Sequence, residues 1–143
     1  MGKVQLEQLE QHGSYLSVPS GISMRPMIRG GRDAVLIKKL TKRPKRYDLV
    51  MYVRPNMQGV IHRVVRYENG KYIIIGDNCW RYEFVSPEQI KGIVTEFCHK
   101  GKWHSVDEKL YLFYVHLWVD FVSIKRPLFY VRDKLKRLIK HGK

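Results

Sequence analysis

The chain has 143 residues, of which 44% are hydrophobic, with two cysteines and a formal net charge of +14. That size and apolar content suit one domain with an ordinary core and argue against disorder. Two cysteines, Cys79 and Cys98, are too few for a disulfide framework and fit no paired zinc spacing, which favours a reducing compartment; the charge asks for an anionic partner.

Taken in chain order, segment 1–14 reads as a short polar helix over Gln5–Gln11, stopped by Gly13. The N-terminal stretch MGKVQLEQLEQHGSYLSV has no apolar core of a secretory signal. Leu6 stands where an N-myristoylation signal on Gly2 needs Ser or Thr. Segment 15–106 carries short β-rich runs between turn residues. AVLIKKL (Ala34–Leu40), DLVMYV (Asp48–Val53), GVIHRVVRY (Gly59–Tyr67) and KYIIIG (Lys71–Gly76) are each predicted strands. Asn69-Gly70 between the last two is the strongest hairpin signal in the chain. GIVTEFCHKGKWHSV (Gly92–Val106) reads as a closing strand with a turn at Lys100-Gly101-Lys102.

Segment 107–143 switches to helical periodicity. Leu110, Phe113, Leu117, Phe121 and Ile124 predict one apolar stripe, which Pro127 is expected to break. A second helix carries Leu128, Val131, Leu135 and Leu138 on one face among many Lys and Arg. From Lys125 onward there are eight Lys/Arg against one acid, Asp133, which is half of the net charge. Leu110–Ile124 is too short for a membrane span and contains His116 and Asp120.

Several residues carry candidate chemistry. VPSGISMRPMIRGG places Ser23 on a bend between Gly21 and Pro26, either as an ordinary turn residue or as an exposed nucleophile. A serine attacks an amide only with a near-neutral base to take its proton and donors to hold the oxyanion. His62, within VIHRVV, is either a satisfied core histidine or that base. Gly76-Asp77-Asn78 ends a strand and reads on its own as a turn. Cys98, His99 and His104 match no common zinc spacing and read as a solvated turn, so no metal or cofactor is expected. RGGRD lacks the strand–helix context of a phosphate loop. Trp80, Trp103 and Trp118 read as packing aromatics.

In order and spacing, Ser23-Met24-x-Pro26, RYDLVMY, His62-Arg63-Val64-Val65 and Gly76-Asp77-Asn78 resemble the signal-peptidase family, over about Val18–Val94. The histidine places the resemblance with the endoplasmic-reticulum, archaeal and sporulation-associated type. Bacterial-type members and the self-cleaving SOS repressors, which share the fold, use lysine. The resemblance implies a mainly β, coiled-sheet catalytic domain with Ser23 as nucleophile and His62 as general base. The Ser23 N–H, with the Ser20 hydroxyl, would hold the oxyanion. The triad's carboxylate is Asp77 or Glu83; Glu83 stands where the family puts a second aspartate. The substrate implied is a peptide or leader-bearing precursor with small side chains before the cleaved bond.

The family normally carries a membrane anchor before its serine box, and no apolar stretch of that length occurs here. This departure supports peptidase chemistry more than the family's cellular role. Cytoplasmic placement is expected, with segment 107–143 either packed on the domain or held peripherally on the inner face of an anionic membrane. Nucleic acid is disfavoured, since no reader motif accompanies the charge. The alternative to an enzyme is a non-catalytic peptide-binding or membrane-surface module that keeps the fold.

Overall fold

Left-handed backbone at two tight turns sets the register of the sheet. Asn69 and Gly70 have φ of 51° and 77°, as a two-residue hairpin turn requires, and close Glu68 against Lys71. Lys100 and Gly101, at 51° and 80°, close His99 against Lys102 in the same way. The computed structural model describes residues 3–142, so the Gly2 position weighed above and Lys143 lie outside the described residues.

Eight strands follow from the β-branched runs: β1 (Ser14–Ser17), β2 (Ala34–Lys39), β3 (Leu49–Val53), β4 (Gly59–Glu68), β5 (Lys71–Ile75), β6 (Glu83–Val85), β7 (Ile90–His99) and β8 (Lys102–Ser105). They form one antiparallel sheet in the order β1-β2-β7-β3-β4-β5-β6, with β8 paired to β7. The fold is therefore mainly β, as expected. Central strand β3 is buried throughout. Its alternation sends Leu49, Met51 and Val53 into one apolar cluster and Val50 and Tyr52 into another, so both faces of the sheet are covered. Register shifts at Leu36/Ile37, Met51/Tyr52 and Val64/Arg66 bend and twist the sheet between these two cores.

Three α-helices complete the described residues: α1 (Lys3–His12), α2 (Lys109–Asp120) and α3 (Val122–His141). Helix α1 inserts Leu9 into the first core and stops at Gly13, whose φ is 73°. Helix α2 covers the same face of the sheet through Tyr111, Val115 and Val119, with Val122 just beyond. The expected apolar stripe is thus not the packing face. Leu110 is 80% exposed and Phe113 69%, while the buried residues sit on the opposite side. Aromatic and aliphatic residues occur all round α2, so periodicity alone does not single out the inward side.

Two further expectations need correction. The helix does not break at Pro127, which lies inside α3; the bend falls at Phe121, with φ −100° and ψ 20°. Pro127 has no N–H to give the Ser123 carbonyl, a loss close to the helix start that a bend just upstream accommodates. Trp103 packs only in part: it lies on the short strand β8 and is 48% exposed. Among the described residues, no helix is long and apolar enough to cross a membrane.

Candidate active site

The serine bend is fixed by its own backbone and by the loop after β5. Gly21 adopts φ +83°, and a Cβ on Gly30 would fall 2.2 Å from the Gly21 carbonyl oxygen, so the two glycine backbones touch. Gly31 N–H donates to the Pro19 carbonyl (2.8 Å), closing this loop at its base. The Arg25–Pro26 bond is cis. Met24, Met27 and Ile28 anchor the segment in the core. From the other side, Asn78 N–H donates to the Ser23 carbonyl (2.8 Å) and Asn78 Nδ2 to the Ile22 carbonyl (3.1 Å).

His62 comes from the middle of β4, where the pleat turns it toward Tyr52 of β3, and it is only 4% exposed. Its Nδ1 lies 3.2 Å from the Tyr52 hydroxyl and 3.7 Å from Glu83 Oε1. The Glu83 carboxylate also acts on the Tyr52 hydroxyl. In the tautomer that carries its proton on Nδ1, His62 meets the Tyr52 oxygen through Nδ1–H and Nε2 keeps its lone pair. Nε2 looks toward the serine bend: a Cβ built on Gly76 would lie 2.9 Å from it and 2.7 Å from the Ser23 carbonyl oxygen. Only glycine fits between them.

Charge in this corner is balanced by Arg54, at the end of β3. Its Nε donates to Glu83 Oε2 (3.0 Å) and its second nitrogen donates to Oε1 in a very short contact. Burial alone would raise the Glu83 carboxyl, but hydrogen bonds from Arg54 and Tyr52 hold it below its ordinary value. Burial lowers His62 from 6.5 to about 4, against the opposing pull of Glu83, so the imidazole is neutral at neutral pH. A neutral imidazole with a free Nε2 can accept a proton from a hydroxyl.

Asp77 faces elsewhere. Its two oxygens accept from Arg63 Nε and the second guanidinium nitrogen (2.8 and 2.9 Å), and both side chains are fully buried. The Tyr114 hydroxyl adds a third bond to Asp77 (2.8 Å), while Arg63 also donates to the Tyr111 hydroxyl (3.0 Å). The Asp77 carbonyl accepts from Trp118 Nε1 (2.6 Å) and Lys125 Nζ (3.2 Å). Arg126 holds the Trp80 carbonyl (2.8 Å), and Arg132 holds the Asn78 side chain (2.7 Å). Side chains from α2 and α3 therefore clamp the loop that positions Ser23 and Glu83. Burial lowers Lys125 to about 8 in this setting.

Ser20, Ser23, His62 and Glu83 line one open cleft of about 1010 Å³, which α3 borders through Arg132, Lys136 and Arg137. Ser20 is exposed at the rim. Of the sequence-derived candidates, these four share the cleft, and Asp77 lies behind its wall. Tyr52 and Arg54 escaped sequence reasoning, and Arg63 and Gly76 were named only as members of their motifs. Arg63 did carry a signal, since an arginine inside a β-branched run needs a buried counter-charge. Cys79 lies beside Gly76, and burial raises its thiol, as suits a packed rather than a reactive cysteine. His99 pairs with Asp33 and His104 with Glu108. No cluster of metal-ligating side chains occurs among the described residues. No protein-family model matches the chain, and no curated protein matches it.

Proposed function

We propose that the chain is a serine endopeptidase of the histidine-type signal-peptidase kind, with the coiled-sheet fold of that family and of the SOS repressors. One observation carries this reading: the free nitrogen of a buried, neutral His62 faces the bend that bears Ser23, inside a cleft open to a peptide. An extended substrate would lie along the cleft as an added strand. His62 Nε2 takes the Ser23 proton as the oxygen attacks the scissile carbonyl. The Ser23 N–H and the Ser20 hydroxyl would receive the oxyanion. The imidazolium returns its proton to the leaving amine, and a water then releases the acyl group from Ser23 by the same route. Glu83 stabilises the transient charge through Tyr52, and Asp77 holds the loop.

The test is hydrolysis of leader-like peptides with small residues before the cleaved bond. Wild-type protein should cleave them and Ser23→Ala should not; equal cleavage by both would end the proposal.

A second reading, a non-catalytic peptide-binding module, is favoured by one feature. The hydrogen-bond partner of His62 Nδ1 is a tyrosine hydroxyl, and Glu83 is engaged by Arg54 instead. Under that reading Ser23→Ala binds peptide as wild type does, and neither protein cleaves it.

A further inference from the structure

The side of α2 and α3 that turns away from the sheet is apolar from end to end. On α2 it is the stripe that starts at Leu110; beyond the bend it continues as Ile124, Leu128, Val131, Leu135 and Leu138. These five recur at alternating steps of four and three, one line along a helix about 30 Å long. Each is at least half exposed, from 51% at Val131 to 63% at Leu128. A soluble domain rarely leaves so long a contiguous apolar face in water.

Residues beside the stripe decide between two occupants. Spacing of four and three would also suit a second copy of the helix in a coiled coil. Such a pair needs opposite charges at the flanking positions. Here these positions hold Pro127, Lys134 and His141 on one side and Lys125, Arg132 and Ile139 on the other, with no acid among them; Lys125 and Arg132 turn back to the loop at Asp77 and Asn78. The one carboxylate of α3, Asp133, is bonded to Arg132. Two copies would offer Lys134 no acid along the seam, whereas an anionic lipid surface supplies both an apolar layer and the counter-charge.

We propose that α2 and α3 lie on an anionic bilayer, with the apolar stripe among the acyl chains and the Lys/Arg flanks among the headgroups. The same α3 borders the cleft through Arg132, Lys136 and Arg137, so a docked molecule opens its cleft beside the headgroup layer. If the peptidase reading holds, its substrates are precursors presented at that surface; the docking itself does not depend on that reading.

Flotation of the full chain with vesicles tests this without any substrate. Protein should float with phosphatidylglycerol-containing vesicles, much less with pure phosphatidylcholine, and less again as salt is raised. Leu128→Glu with Leu135→Glu should abolish flotation without changing the melting temperature. Lys134→Gln should weaken it about fivefold, the value of one basic residue near an anionic surface. Absence of flotation, or equal flotation of the wild-type protein and the double variant, would overturn the proposal. So would a wild-type dimer in sedimentation that the double variant dissolves.

Discussion

Two arginine–carboxylate pairs stand a few residues apart in this molecule and do different work. Arg63–Asp77 is sealed from solvent, and every remaining polar atom around it finds a tyrosine, an indole or a lysine. Arg54–Glu83 lies at the cleft with both side chains partly exposed, and its carboxylate also bears on Tyr52 and His62. A buried pair adds little stability over an apolar core but is costly to break, whereas a half-solvated pair can be altered with small structural cost. The first therefore holds the loop, and the second bears on His62.

Substitutions that separate these roles sharpen the comparison. Asp77→Asn leaves the Arg63 charge buried without a counter-ion and should cost about 3–5 kcal/mol of stability, visible as a large fall in denaturation midpoint. Activity should vanish with the fold. Glu83→Gln should leave the melting curve within about 1 kcal/mol of wild type while kcat falls about 10²–10³-fold, below the loss seen for a directly bonded triad aspartate. Tyr52→Phe removes the hydroxyl that His62 Nδ1 meets but leaves the Glu83 carboxylate 3.7 Å from the imidazole, and should lower kcat by about tenfold with KM unchanged. A melting curve that moved more in Glu83→Gln than in Asp77→Asn would reverse the assignment of roles.

Acid should act on the site in a defined direction. His62 has a folded value of about 4 against an ordinary 6.5, so the unfolded chain binds its proton first as pH falls. This group leaves stability untouched above 6.5 and lowers it progressively down to about 4, by up to about 3 kcal/mol. Over the same window the His62 imidazole stays unprotonated in the folded protein. The acid limb of kcat/KM should therefore lie near pH 4 instead of 6.5; a limb at 6.5 would place His62 in water or remove it from the reaction.

Much of the fold was legible in the sequence because β-branched runs and Asn-Gly leave few alternatives to an antiparallel hairpin. Ser23, His62 and Glu83 could be named because their spacing resembles a known chemistry. Asp77 could not be separated from Glu83, because which carboxylate meets the imidazole depends on pleat direction and on Arg63, whose partner lies fourteen residues away. The inward face of α2 stayed hidden for a different reason. Its buried Tyr111 and neighbouring Tyr114 and Trp118 are chosen by hydrogen bonds to Arg63 and Asp77, which no periodicity encodes.

The central claim is that Ser23 and His62 work as one unit, and a double-mutant cycle on kcat/KM tests it most directly. Ser23→Ala and His62→Ala should each lower kcat/KM for a cleaved leader peptide by about 10³-fold or more, and the double variant should lose no more than either alone. Losses that multiply in the double variant, or cleavage that survives Ser23→Ala, would contradict the account.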